Sequence, residues 1–437
     1  MTRRSGRKSS FGVRALVGLQ GGELTVPAHF RCPISLELMK DPVTLPTGIT
    51  YDRRNIEAWL EAGHETCPVT KRLVAGGQDL TPNHTIRRLI QDWCVANRKY
   101  GVERIPTPRI PTSAAEVAGI LSELAAASRR GEVPRCLELV GRIRCLAGEN
   151  ERNRRCIVSN GAVAVLSAAF AAFSRVNAGR PAEVEEEILA ALAGMFPLGA
   201  ESRSQLAAPE SLRSLVGIVS NGDLTGRLNA VQVVKELVHT DVALVGAVAD
   251  AEGMAEALVK LIREPISSQV TKSSLVAIFY MVSSREATAS RFAAMGLVPV
   301  LLDALVDCDK STTEKITGVL DGLCGCRRGR QAAYHHALTT PVLVKKILRV
   351  SVMTTEFSVS ILWKLCKNSD REAETGEGCL AEALQVGAFQ KLLLLLQVGC
   401  GEATKEKASE LLKLLNASRL KPECIDSADF KALKRPF

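Results

Sequence analysis

Residues 30–43 read Phe30-Arg31-Cys32-Pro33-Ile34-Ser35-Leu36-Glu37-Leu38-Met39-Lys40-Asp41-Pro42-Val43. Three shorter blocks follow in order: Thr47-Gly48-Ile49-Thr50-Tyr51-Asp52, Cys67-Pro68-Val69-Thr70 and Pro82-Asn83-His84. A module this small has a core worth only about 3–5 kcal/mol and needs bracing. Two closed zinc sites would take about eight Cys or His ligands in spaced pairs. The segment offers Cys32, Cys67, His29, His64 and His84, with no Cys-x-x-Cys pair. Metal binding therefore fails on ligand count. Cys32 and Cys67 read as buried thiols, and the lone histidines as hydrogen-bonding groups near turns.

Local signals give this segment an α+β character. Val43–Leu45 and Ile49–Tyr51 flank the turn Pro46-Thr47-Gly48, which predicts a short hairpin. Asp52 is a good N-cap for a first helix, whose Ile56, Trp59 and Leu60 share one face, with Gly63 as its stop. Asn83 caps a second helix, with an apolar stripe of Ile86, Leu89, Ile90 and Trp93 and with Gly101 just beyond.

These blocks, in this order and without paired ligands, resemble the U-box, the zinc-free relative of the RING finger in ubiquitin ligases. The resemblance covers roughly seventy residues. It implies a domain that docks a ubiquitin-charged conjugating enzyme and forms no covalent intermediate of its own. It places the docking surface on Ile34 and Leu36 in a first loop, Pro68 in a second and Trp59 on the helix between them. Val43 matches a position whose integrity the family needs. Lys71 stands where family members carry an arginine that restrains ubiquitin. A lysine offers a point charge rather than a bidentate fork, so Arg72 beside it is a second candidate. In place of zinc, the resemblance implies hydrogen bonding by Glu37, Asp41, Thr50, Asp52 and Asn83.

Outward from this block, residues 1–23 form a basic tail with no acidic residue before Glu23, and 24–101 form the U-box-like domain. Residues 102–113 are a Pro-rich linker centred on Ile105 to Thr112, semi-rigid and extended. From 114 to 416 the chain reads as helix, and it repeats. A small or polar residue followed by an apolar run opens at Gly161, Glu210, Gly253, Gly296, Thr340 and Gly387. A second helix series ends near Met195, Leu237, Met281, Leu323, Leu365 and Leu414. By subtraction both series step by 42 to 49 residues, the period of an armadillo or HEAT solenoid. Such units stack into one core and leave a concave groove. Six to seven armadillo-like units are expected, with a polar loop inserted at 369–378 and a tail over 417–437. His335-His336 and Cys324-Gly325-Cys326 read as repeat residues rather than metal ligands.

The fold class expected is thus a small α+β U-box followed by an all-α armadillo solenoid, which resembles the plant U-box ubiquitin ligases over almost the whole chain. That implies an E3 ubiquitin-protein ligase, with a substrate or regulator in the repeat groove. The alternative from a different class is an armadillo adaptor with an inactive U-box. No nucleophilic triad and no phosphate-binding glycine loop appears, and no cofactor is expected.

The chain has 437 residues, a net charge of +9 and 4% aromatics. Basic residues are spread along it without interleaved aromatics, so nucleic-acid binding ranks last. No apolar run reaches about 18 residues. Thirteen scattered cysteines and no secretory signal point to reduced thiols in the cytoplasm, with a nuclear pool left open. A U-box dimer is also left open.

Overall fold

The computed structural model describes residues 25–74, 80–105, 112–176, 182–372 and 378–419. The chain divides into two compact units, Met1–Ile110 and Pro111–Phe437. Each has its own apolar core.

The first unit is built on a three-stranded antiparallel sheet in the order β2-β1-β3. β1 (Pro42–Thr44) pairs with β2 (Thr50–Asp52) in the register Val43↔Tyr51, as the hairpin signal predicts. β3 (Thr81–Pro82) adds to the other edge of β1, pairing Val43 with Pro82. No sequence signal marks β3, because two exposed residues carry no alternation. Helix α1 (Arg53–Glu61) starts where Asp52 accepts from the Arg54 amide, and α2 (His84–Ala96) where Asn83 accepts from the Ile86 amide. Ile56 and Ile90 are fully buried, and Trp59, Ile86 and Trp93 pack around the same core. Leu89 departs from the predicted stripe: it is 46% exposed, at the stripe's edge.

The expected linker is shorter than 102–113. Ile105 is buried in the first core and Val102 packs against it. At the other end Thr112 is buried, and its amide donates to Asn153 Oδ1 at 3.1 Å. Apolar and hydrogen-bonded residues thus anchor both ends, and 106–111 lie outside the described residues. So do both predicted tails, save that the last helix runs on to Arg419.

The second unit is all helix among the described residues. It opens with α3 (Ala114–Arg130) and α4 (Val133–Glu149). Units of three helices follow: α5 (Glu151–Ser159), α6 (Ala162–Val176) and α7 (Glu183–Ala193); then α8 (Ala200–Leu206), α9 (Pro209–Asn221) and α10 (Leu224–Thr240). Next come α11 (Val242–Asp250), α12 (Met254–Arg263) and α13 (Ser268–Ser284); then α14 (Glu286–Ala294), α15 (Leu297–Val306) and α16 (Lys310–Leu323). The last two units are α17 (Arg327–Tyr334), α18 (Thr339–Lys346) and α19 (Val352–Glu372), and α20 (Gly378–Gln385), α21 (Ala388–Val398) and α22 (Glu402–Arg419).

The third helices stack in a ladder, α4 on α7, α7 on α10 and so on to α22 on α19. Their buried faces join one core running from Val117 to Leu415. The turn before the middle helix is set by glycine in four units. Gly161, Gly253, Gly296 and Gly387 have φ of 83°, 81°, 71° and 82°, values at which any side chain is strained. The polar insertion expected at 369–378 is smaller than predicted. Residues 368–372 extend α19 to 21 residues, and none of them is the glycine or proline that would break it. Residues 373–377 lie outside the described residues.

Candidate functional site

Two loops of the first unit share one conformation. Cys32 N donates to Glu37 O at 2.8 Å and Cys67 N to Arg72 O at 2.9 Å. Leu36 N returns to Cys32 O at 2.8 Å and Lys71 N to Cys67 O at 2.9 Å. The fifth residue of each loop is left-handed, Leu36 with φ 60° and Lys71 with φ 59°. An isolated antiparallel bridge closes each base, Arg31↔Leu38 and Thr66↔Leu73. The sequence carries the signal for this pairing, since Cys-Pro-Ile-Ser at 32–35 repeats as Cys-Pro-Val-Thr at 67–70. Non-glycine residues at positive φ cost about 1–2 kcal/mol each, and such strain gathers where structure serves recognition.

The sulfur at the foot of each loop is a hydrogen-bond hub. Cys32 Sγ accepts from Asp52 N at 3.3 Å and Asn55 Nδ2 at 3.4 Å. Cys67 Sγ accepts from Thr47 Oγ1 at 3.4 Å and Thr70 N at 3.5 Å, and lies 3.0 Å from the Tyr51 hydroxyl. Tyr51 and Asp52 are neighbours on β2, so this strand couples the two hubs. Both cysteines have 0% exposure. Burial pushes the Cys67 thiol up, but hydrogen bonds from Thr47, Thr70 and Tyr51 outweigh it and bring it down to about 6. Cys32 moves the same way. Burial opposes the change, while Asn55 and the Ser35, Asp52 and Ile34 amides lower it. Tyr51 goes up, first through burial and then through its bond to Cys67.

The carboxylate of Asp52 ties the first loop to α1. Its Oδ2 accepts from Lys40 N at 2.6 Å and Asp41 N at 3.2 Å, and its Oδ1 from Arg54 N at 3.3 Å. Asp41 Oδ2 pairs with Arg53 Nε at 2.6 Å. Asn83 Nδ2 donates to Thr44 Oγ1 at 3.2 Å and Thr50 Oγ1 at 3.1 Å, while those hydroxyls meet at 2.9 Å. Asp41, Thr50, Asp52 and Asn83 therefore brace as expected. Glu37 acts through its backbone carbonyl, and its side chain is exposed. The sequence reading missed Thr47, Tyr51, Arg53 and Asn55, because side-chain reach across a fold leaves no local pattern. Among the described residues, no group of three or more His, Cys, Asp and Glu is placed to hold a metal ion.

Both loops are pinned to α1. Asn55 Nδ2 donates to Ser35 Oγ at 2.9 Å, and Trp59 Nε1 to Thr66 O at 2.9 Å. Trp59 is half-buried and stacks on His64 at 4.0 Å, so His64 serves by ring contact rather than by the hydrogen bond expected of it. Leu36 is 70% exposed, while Ile34 and Pro68 are half-buried. Val69 and Leu73 add exposed apolar surface that the sequence reading did not single out. Lys71 and Arg72 are both exposed. Val43 is different: it is central in the sheet with 0% exposure, so it offers no docking surface and acts through the core.

On the ladder, Phe279 of α13 and Phe357 of α19 meet at 6.0 Å over Gly318 of α16. A Cβ at Gly318 would lie 3.2–3.3 Å from both rings, so glycine lets them close. Tyr280 and His239 continue this half-open aromatic seam at 5.1 Å. Trp363 donates to Glu410 Oε2 at 2.6 Å under the Lys367 ammonium. His336 Nε2 faces Asp303 Oδ1 at 3.3 Å, and Cys326 Sγ caps α17 by accepting from Gly329 N at 3.3 Å, structural roles as expected.

A hydrogen-bonded cross-brace in one unit and a ladder of three-helix repeats in the other define a class, and comparison with known proteins agrees. The U-box domain family matches residues 26–99, and the plant U-box protein ARM repeat region matches residues 116–435. The chain belongs to the plant U-box proteins with armadillo repeats. It is 44% identical to U-box domain-containing protein 21 of Arabidopsis thaliana, over 95% of this chain and 94% of that protein. It is 35% identical to E3 ubiquitin-protein ligase PUB23 of the same plant, over 91% of this chain and 94% of that one. Among solved structures, an engineered protein aligns over 69% of this chain and 84% of its own with a TM-score of 0.52, at 17% identity.

Proposed function

We propose that this chain is an E3 ubiquitin-protein ligase of the U-box class, acting on proteins held by its repeats. The observation that carries the proposal is the pair of matched, strained loops pinned to one helix, within a domain of the U-box family. Ile34, Leu36, Pro68 and Trp59 dock the conjugating enzyme that carries ubiquitin as a thioester. Leu36 and Lys71 hold equivalent places on the two loops, one apolar and one cationic. Leu36 meets the enzyme, and Lys71 with Arg72 restrains the ubiquitin. Catalysis is positioning, the thioester and attacking amine being held in near-attack geometry. Cys67 is acidic for a thiol, yet it is fully covered and held by Thr47, Tyr51 and Thr70, so it does not carry ubiquitin.

The aromatic seam on the ladder supports a protein ligand in the groove. The scattered cysteines support work in a reducing compartment, the cytoplasm. The test is autoubiquitination with a panel of conjugating enzymes, comparing the native chain with Ile34→Ala and Pro68→Ala. Pro68→Ala should keep its melting temperature, and Ile34→Ala should lower it because Ile34 also packs against the domain core. Both should lose conjugating-enzyme binding at temperatures where they are still folded. Full activity in both variants would reject this docking surface.

A further inference from the structure

Cys366 lies on α19 and Cys379 in the first turn of α20, and their sulfurs stand 3.6 Å apart. Both are buried, with 3% and 4% exposure. A disulfide needs the sulfurs to close to about 2.05 Å, which is a small side-chain movement from this separation. The two thiols are not equivalent. Either sulfur can donate in the contact between them. The Thr340 hydroxyl adds a hydrogen bond to Cys379 alone, so with Cys366 as the donor the Cys379 thiol is held below its ordinary range and that of Cys366 is pushed up. Cys379 is therefore the better nucleophile of the pair.

We propose that Cys366 and Cys379 form an oxidisable dithiol that small hydroperoxides convert to a disulfide joining α19 to α20. In the first step the Cys379 thiolate attacks the terminal peroxide oxygen. An S–O bond forms, the O–O bond breaks, and the leaving alkoxide or hydroxide takes a proton. The product is a sulfenic acid. In the second step the Cys366 sulfur attacks the Cys379 sulfur and expels hydroxide, which leaves as water with the Cys366 proton. The sum is two thiols and one hydroperoxide giving one disulfide, one alcohol (water, for hydrogen peroxide) and one water. Both sulfurs are buried, so the oxidant proposed is a small hydroperoxide rather than a bulky tripeptide disulfide.

Cys324 and Cys326 do not compete. Burial pushes the Cys324 thiol up to about 12, and the Cys326 sulfur is bound to Leu323 O and Gly329 N. The bond would tie the ladder helix α19 to the last three-helix unit, so oxidation would stiffen one end of the array.

The experiment treats the folded full-length chain with hydrogen peroxide, blocks remaining thiols, digests without reductant and maps crosslinks by mass spectrometry. Exposed Cys145 serves as the internal measure of oxidant dose. The expected result is a Cys366–Cys379 crosslink as the dominant product, reversed by dithiothreitol, with a higher melting temperature for the oxidised protein. In Cys366→Ser, a dimedone-reactive sulfenic acid should accumulate on Cys379. Two free thiols at 366 and 379 once Cys145 is fully oxidised would overturn the proposal. So would crosslinks of either residue chiefly to other cysteines. The wild-type crosslink decides the matter even if the variant fails to fold.

Discussion

Replacing Asn83 by alanine should cost the U-box most of its stability. Three interactions go with that side chain. Its Oδ1 caps α2 through the Ile86 amide at 3.0 Å, and its Nδ2 donates to Thr44 and Thr50. An Asn cap replaced by Ala costs about 1 kcal/mol. Each half-buried hydrogen bond adds about 0.5–1 kcal/mol. The sum is about 2–3 kcal/mol, set against a domain of this size worth about 3–5 kcal/mol. Roughly one molecule in ten would then have an unfolded U-box in water. The assay is urea unfolding of the full chain in a Trp363→Phe background, which leaves Trp59 and Trp93 to report on the U-box alone. With a slope of about 1 kcal/mol per molar, the midpoint should fall by roughly 2–3 M. Asn83→Asp keeps the cap and loses both donors, so its midpoint should fall between the other two. A midpoint for Asn83→Ala within about 0.5 M of wild type would refute the reasoning, given that slope. So would Asn83→Asp matching Asn83→Ala, because the cap would then contribute nothing.

Two further outcomes can be checked with the same chain. An unfolded thiol titrates near about 8.5, whereas in the fold burial is outweighed by the hydrogen bonds from Thr47, Thr70 and Tyr51, which bring Cys67 down to about 6. A depressed folded pKa gives stability that is fully present above the unfolded value and lost as pH falls through the folded one. The U-box melting temperature should therefore rise between about pH 6 and 8.5, and Cys67→Ser should flatten that slope; an equal slope in the variant would assign it elsewhere. In the array, a Cβ on Gly329 would meet the Leu323 carbonyl oxygen at 1.9 Å, which no side-chain rotation relieves. Gly329→Ala should lose about 2 kcal/mol or more of array stability by Trp363 emission, and an unchanged transition would mean that α17 shifts freely.

The fold was legible where a local rule acts alone. Asp52 and Asn83 announced their helices as caps, the glycines at 161, 253, 296 and 387 announced where apolar helices begin, and the repeat period announced the ladder. Prediction faltered where distant parts decide. Val102 and Ile105 look like linker but fill the U-box core, since burial depends on what packs opposite. Leu89 sits on the apolar stripe yet outside the contact. At the site, Leu36 and Lys71 were named, but their shared left-handed backbone was not, because neither is the glycine that advertises such a turn. Asn55, Tyr51 and Thr47 were missed as sulfur partners because side-chain reach across a fold leaves no local pattern. Their importance comes from positions 16 to 23 residues away.

The stacked ladder from α4 to α22 also acts as a ruler. Neighbouring helix axes lie about 9–10 Å apart, so six steps between seven rungs span about 55 Å. An extended peptide advances about 3.3 Å per residue, and roughly sixteen residues would be needed to touch every rung. A short recognition motif engages only part of that length, with affinity set by the few rungs it meets. The remaining rungs stay open to a second ligand, so the length of the ladder exceeds what one short motif can use.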